Sequence, residues 1–305
     1  MIDEPTLDLF AESIANIRHI STYYVPYLSG FIAIYLVYVH ITTDQGEKWW
    51  KALIVPLFAI YFGMMVGSIF GVFLNAKAHP WGYWTHLTLP KQLLIIFSPF
   101  EGGKVLYGGF LGMIFGVFIS SLVLYGKEWK AVFGRNLDAF SIATPLLFMF
   151  NRVGCVFYGC CYGKISSWGI AISPQQHSYH EYVQKGLIQQ GDTLHLIPTQ
   201  LISLWANFAL FLFLFLLYRQ KRDTLPRFFY FWLYTLLYGT FRFIIEFLRA
   251  DPRNFCCGLS TSQWIPLLLF IPAFYFFLRL IKLNRTQRDT KSNGEKIPTL
   301  HRNKR

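Results

Sequence analysis

Two arginines stand in stretches that have no evident use for a charge. Arg152 interrupts the apolar run FNRVGCVFYGCCYG at residues 150–163, and Arg242 lies within YGTFRFIIEFLR at 238–249. A cation near the bilayer centre costs about 2.5–3.5 kcal/mol on insertion scales, so each asks for an anionic partner. In the second stretch Tyr238, Arg242, Glu246 and Arg249 stand at spacings of four, four and three. At about 100° per residue they occupy one narrow helical face. Glu246 can pair with Arg242 or Arg249 on its own helix, but one carboxylate does not neutralise Arg152, Arg242 and Arg249 together. The remainder suits a ligand that is itself anionic and resident in the membrane. A phospholipid headgroup phosphate fits, because the guanidinium fork matches phosphate oxygens in two places. Snorkelling to the interface or a structural ion-pair network is the alternative for Arg249, at a helix end beside ADPR.

The elements that must hold these residues are apolar helices. Of 305 residues, 54% are hydrophobic and 19% aromatic, and only 14% are charged, against about 25% in soluble domains. Stretches near or above the roughly 20 apolar residues that cross a bilayer recur along the chain. Seven are read, over 24–42, 51–75, 105–125, 137–158, 197–218, 228–248 and 264–283. The fourth is interrupted by Pro145 and Arg152, which leaves a broken or re-entrant helix open there. LLIIFSP at 93–99 is too short to span and reads as interfacial or re-entrant. The expected fold is an all-α polytopic membrane protein of about seven transmembrane helices, with outer-side loops. Residues 1–283 form the transmembrane domain and 284–305 a basic disordered cytoplasmic tail. The first 22 residues carry acids and no positively charged start before an apolar core, so no cleavable signal peptide is expected.

Lys and Arg set the orientation. Lys48 and Lys51, then Lys127, Lys130 and Arg135, then Arg219, Lys221, Arg222 and Arg227, and finally the tail, all fall on one side of a seven-span arrangement. That side is expected to be cytoplasmic, with the N-terminus outside. The net charge of +12 is then topology and attraction to anionic membrane lipid; no basic groove motif accompanies it, and no nucleic-acid partner is expected. Spans four and six travel outward, which puts Arg152 and Arg242 in the external half. Glycines 154, 159, 163 and 239 flank them and let helices or a ligand approach the backbone. Tyr107, with Gly108 and Gly109, and Gln200 reach the same side as the third and fifth spans begin; each alone also reads as a belt aromatic or an interhelical bond. The charges cluster on the outer side with no relay across the membrane middle, which disfavours an ion-coupled transporter.

The five cysteines, Cys155, Cys160, Cys161, Cys256 and Cys257, lack the paired C-x-x-C or histidine spacing of zinc sites. No metal and no cofactor is expected. Buried inert thiols, an extracytoplasmic disulfide or a nucleophile of the protein's own are the readings left open.

At these residues the chain resembles the prolipoprotein diacylglyceryl transferase family. RVGCVFYGCCYG is similar to the family's G-R-x-G-N-F-x-N-G-E-x-x-G, and YGTFRFIIEFLRADP to its Y-G-x-x-R-F-x-x-E-F-x-R-x-P-D. Three weaker echoes follow in family order: GGKVLYGGFLG for G-G-x-x-x-H-G-G-x-x-G, IPTQL for H-P-S-Q-L, and GLSTSQW for L-S-x-G-Q. Together they cover about residues 60–270. The resemblance implies a seven-span enzyme of the bacterial inner membrane. It would move a diacylglyceryl group from phosphatidylglycerol to the lipobox cysteine thiol of a preprolipoprotein, releasing glycerol phosphate.

Carried over by position, Arg152 and Arg242 would bind the phosphate and Tyr238 would orient the headgroup or Arg242. Glu246 and Arg249 would hold that face, Gly159, Gly163 and Gly239 would admit the lipid, and Gln200 would contact substrate. The chain also departs from the pattern. Tyr107 and Ile197 stand in place of histidines, Cys155 and Tyr158 in place of asparagines, and Cys160 and Ser203 in place of glutamates. Tyr107 thereby becomes the candidate catalytic group at the base's position, with His86 and His195 as loop substitutes. These departures keep open a paralogue using another acceptor and a non-catalytic anionic-phospholipid binder or transporter.

Overall fold

The structure, a computed structural model, describes residues 25–74, 88–91, 106–222, 224–250, 255–256 and 258–292. It is mostly helical. Helix α1 (Val25–Asp44) is followed by α2 (Trp49–Leu74), α3 (Leu106–Tyr125) and α4 (Trp129–Tyr158). Strand β1 (Ile165–Ala171), the short α5 (His177–Gln184) and β2 (His195–Leu196) separate α4 from α6 (Thr199–Lys221). Then come α7 (Phe229–Glu246), the hairpin β3 (Phe255–Cys256) and β4 (Leu259–Ser260), and α8 (Thr261–Ser292).

Each apolar stretch read from the sequence falls on one of α1–α4, α6, α7 and α8. Among the described residues five stretches are long and apolar enough to cross a membrane: Val25–Asp44, Trp49–Gly71, Tyr107–Tyr158, Thr199–Lys221 and Thr261–Leu283. The third covers both α3 and α4. These two fold back on each other at Gly126–Glu128, where Gly126 takes φ +50°. Phe118 of α3 then meets Trp129 and Phe133 of α4 at 5.4 and 5.9 Å.

The break left open for the fourth span does not occur: α4 runs unbroken through Pro145 for 30 residues. Ser141 and Thr144 donate their hydroxyls back to the carbonyls of Leu137 (2.8 Å) and Phe140 (2.7 Å). Residues 136–146 are buried. Neighbouring helices and hydroxyl side chains are what let an apolar helix keep its course through a proline. The segment at 93–99 lies outside the described residues.

Other boundaries also moved. The α7 helix stops at Glu246 rather than near 248, because Phe247 and Leu248 donate to the carbonyls of Ile244 and Ile245 in tight turns. Helix α8 runs on to Ser292, past the expected end at 283 and into what was read as tail. The fold is also not purely α. The link between α4 and α6 carries an antiparallel pairing of β1 with β2, and Phe255 and Cys256 pair with Ser260 and Leu259. The link has its own small core of Tyr162, Tyr179, Tyr182, Leu194 and Leu196. Burying its own aromatics takes part of the link's backbone out of solvent, and local ladders meet the hydrogen-bonding need that this creates.

The chain divides into two compact units. One is built from the described residues up to Phe231 together with Arg249 and Ala250, the other from Trp232–Leu248 and the described residues after Pro252. In the first, the basic helix ends gather at one end. Arg222 pairs with Asp44, Arg135 lies 3.6 Å from Glu47, and the Tyr218 hydroxyl donates to the Ile41 carbonyl at 3.2 Å. One turn further in, the buried Asp138 carboxylate accepts from the backbone N–H groups of Phe228 (2.7 Å) and Phe231 (2.9 Å). It thereby caps the first turn of α7 from another helix, a role the sequence pattern does not announce.

Helices α2 and α3 meet through glycine. Gly108, Gly112 and Gly116 recur every four residues and so form one stripe. A Cβ built at Gly112 would lie 2.2 Å from the Phe62 carbonyl oxygen, and one at Gly116 2.5 Å from that of Phe58. Both obstacles are backbone, so they cannot swing aside. Without a hydrophobic drive between helices in lipid, such close backbone approach is what holds a pair together. Gly112→Leu should therefore destabilise the protein by about 1–3 kcal/mol or more, read as a lowered unfolding temperature in detergent. Leu111→Ala, at an exposed position one residue away, should have little effect.

Candidate functional site

The last turns of α4 and the loop beyond them carry one half of the candidate residues. Arg152 is half-buried there, and its Nη1 lies 3.7 Å from the Cys155 sulfur. The same sulfur lies 3.6 Å from Asn151 Oδ1. Gly159 ends the helix in the left-handed conformation (φ +79°), its N–H donating to the Cys155 carbonyl. That conformation favours glycine. A Cβ at the same position would also strike Gln176 at 2.8 Å. The space Gly159 leaves is therefore taken by the loop ahead of α5.

The chain beyond is pinned from three sides. Thr199 Oγ1 donates to the Cys161 carbonyl (2.7 Å) and Gln200 Nε2 to that of Cys160 (2.9 Å). The Gly163 N–H donates to the Ile197 carbonyl, and the Ala250 N–H to that of Tyr162. Arg249, buried, pairs with Gly163 in an isolated bridge. The periodicity that placed Arg249 on the face of Arg242 and Glu246 fails because the helix has already ended; Arg249 joins the loop after α4 instead. Cys160 and Cys161 lie in this loop as free thiols beside Cys155. Hydrogen bonds from Cys155 and Cys160, reinforced by the charges of Arg152 and Arg249, hold Cys161 well below the ordinary thiol value against the upward pull of burial. Cys160, donating to both neighbours, is pushed up.

The second unit holds the other half. Arg242 Nη1 lies 2.9 Å from Glu246 Oε2 one turn on, with only 7% and 2% of the two side chains exposed. Arg242 Nη2 donates to Ser262 Oγ (3.2 Å), and Ser260 Oγ donates to the other Glu246 oxygen (2.7 Å). Gln263 braces this corner, accepting from the Ser260 N–H and donating to the Phe243 carbonyl. Tyr238, buried one turn before Arg242, stacks on Tyr234 at 5.4 Å. At Gly239 a Cβ would meet the Phe270 ring at 2.8 Å, so this glycine admits α8. Ser260, Ser262 and Gln263 belong to the stretch seen in the sequence only as a motif echo; their polarity at the start of an apolar span was the available signal.

Of the remaining candidates, Tyr107 is half-buried in the first turn of α3. Tyr158 stacks on His177 at 5.4 Å. Ile197 and Ser203 are buried. His195 is exposed and pairs with Ala171 at the sheet edge. His86 lies outside the described residues.

Residues 12–279 match the family described as prolipoprotein diacylglyceryl transferase. The chain belongs to that family. Among its relatives, phosphatidylglycerol–prolipoprotein diacylglyceryl transferase 2 of Clostridium perfringens is 28% identical over 274 residues, covering 88% of this chain and 91% of the relative. The corresponding transferase of Clostridium tetani is 34% identical over 182 residues, 60% of this chain and 66% of its own. That of Bacteroides fragilis is 27% identical over 284 residues, 89% and 92%. Membership in the transferase family makes the chain an enzyme of a multi-pass membrane class.

The Arg242–Glu246 pair yields a direct test of the second unit. Removing the acid takes the carboxylate from a buried guanidinium. Glu246→Ala should cost about 3–5 kcal/mol of stability, whereas Ser260→Ala should cost about 1 kcal/mol. Thermal unfolding of the two variants in the same detergent measures the difference.

Proposed function

We propose that this chain transfers the diacylglyceryl group of phosphatidylglycerol to the lipobox cysteine thiol of a preprolipoprotein, releasing glycerol phosphate. The observation that carries the reading is the presence of both arginine-bearing blocks, at 152–163 and 238–249, within a family match spanning residues 12–279. The acceptor sulfur loses its proton and bonds to the glycerol carbon. The carbon–oxygen bond to phosphate breaks, and its electron pair departs on the phosphate ester. Charge therefore accumulates on the leaving group, where fixed guanidinium donors act in a dry setting. Arg152 and Arg242 take that role, Arg242 held by Glu246 and Ser262 and neighboured in sequence by Tyr238 and Gly239. Gln200, Gly159, Gly163 and Arg249 shape and hold the loop that follows Arg152.

Tyr107 stands where the family pattern has histidine. A phenol of ordinary pKa near 10 is a poor base, so its role is to donate a hydrogen bond to the departing oxygen. The nucleophile is the acceptor's, and only its thiolate form attacks. Seven spans, an external N-terminus and a cytoplasmic C-terminus in the bacterial inner membrane complete the proposal. The gathering of Arg135, Arg222 and the neighbouring basic residues at one helix end supports it, since short cytoplasmic loops retain Lys and Arg.

The test is transfer in membranes supplied with labelled phosphatidylglycerol and a lipobox peptide, joined to complementation of a strain depleted of its own transferase. Wild type should transfer and complement. Arg152→Ala and Arg242→Ala should each lose about 10²–10³-fold in rate with unchanged helical content. Absence of transfer by the wild type overturns the reading. Labelled products on another thiol or lipid, identified by mass spectrometry, would replace it with a paralogue of different acceptor. Bound phosphatidylglycerol without any product would replace it with a lipid binder.

A further inference from the structure

Three thiols converge where α4 ends. The sulfurs of Cys155, Cys160 and Cys161 all lie within 4.8 Å of one another. Consecutive residues normally send their side chains apart, so the convergence of Cys160 with Cys161 needs a cause. It is a pair of left-handed residues, Gly159 at φ +79° and Cys161 at φ +61°, which curl the chain back over the helix end. For a residue other than glycine that conformation costs about 1–2 kcal/mol, and it persists only where the surroundings impose it. Here Thr199 and Gln200 impose it, through their bonds to the Cys161 and Cys160 carbonyls. The strained turn is thus built from outside, and its product is a cluster of three soft donors.

Sulfur ligands about 2.3 Å from a trigonal or tetrahedral metal stand about 3.8–4.0 Å apart, within the observed spread. The surrounding charge also fits. Three thiolates on a divalent cation leave one negative charge, and Arg152 Nη1 lies 3.7 Å from the Cys155 sulfur to meet it. Cys155 is 2% exposed while Cys160 and Cys161 are half-buried, an arrangement that anchors one ligand and leaves a side for the ion to enter.

We propose that Cys155, Cys160 and Cys161 form a binding site for a thiophilic cation of the Zn²⁺ class, clamping the loop after α4 to the helix that carries Arg152. The fourth position is left to solvent or a small ligand. The site does not depend on which group the protein transfers, so its test is metal binding rather than activity.

Full-length protein purified in detergent under reducing conditions, loaded with Zn²⁺ and dialysed, should retain about one ion per chain. Replacement by Co²⁺ should produce a thiolate-to-metal charge-transfer band together with the visible bands of a tetrahedral site. Cys155→Ser and the double change Cys160→Ser with Cys161→Ser should each weaken retention by more than about tenfold; Cys256→Ser with Cys257→Ser should not. Should the first two variants fail to fold, the wild type alone decides: bound Zn²⁺ should shield three thiols from a thiol reagent until a chelator removes it. Wild type that retains no metal, or whose Co²⁺ spectrum lacks the charge-transfer band, overturns the proposal. So does recovery of two of the three thiols as a disulfide under the same conditions, or metal retention that survives the cysteine changes.

Discussion

A guanidinium and a carboxylate buried side by side in an apolar helix organise everything around them. Arg242 and Glu246 are four residues apart, so the helix itself brings them together. Their remaining hydrogen-bonding capacity has to be met as well, since an unmatched buried charge is far more costly than a matched one. Ser262 meets the second nitrogen and Ser260 the second carboxylate oxygen, with Gln263 fixing the backbone from which both project. The turn from the β3–β4 hairpin into α8 is thus dictated by the need to satisfy one ion pair, and Gly239 clears the space that lets α8 come close enough to do so.

Arg152 faces the same problem and meets a different environment. Its Nη1 lies against the Cys155 sulfur, and the loop that supplies the other sulfurs is held by side chains from the first turn of α6. Positive charge beside polarisable, ionisable groups is an adjustable arrangement. The positions where this chain departs from the family's asparagine and glutamate, Cys155 and Cys160, are two of the three thiols that meet there. The departures therefore replace one polar environment with another rather than leaving a gap.

Glycine serves two ends in this protein, and the distinction follows from geometry. At Gly108, Gly112 and Gly116 the backbone is helical and what matters is the missing Cβ, which would collide with the Phe70 side chain at the first and with backbone carbonyls of α2 at the other two. At Gly159 what matters is the backbone itself, which turns left-handed to end α4 and start the cysteine loop. The first use holds two helices together in a solvent that offers them no hydrophobic reason to associate. The second decides where three sulfurs go.

The apolar stretches were legible in the sequence because a bilayer permits little but helix for runs of that length, and five stretches among the described residues are long and apolar enough to cross. The arginine motifs were legible too: a charge in an apolar run stands out, and the four-residue spacing of Arg242 and Glu246 is a local property of one helix. What the sequence could not reveal depends on contacts between distant segments. Pro145 reads as a break until the hydroxyls and helices around it are in place, and Arg249 reads as part of a helical face until that helix is seen to stop. Asp138 caps a helix some ninety residues on, and the three cysteines obey no metal-binding spacing because their convergence comes from a left-handed turn braced by Thr199 and Gln200. Hydrophobic periodicity and local spacing act along the chain and can be read there. The partners of buried polar groups are chosen across it, and only the tertiary structure decides them.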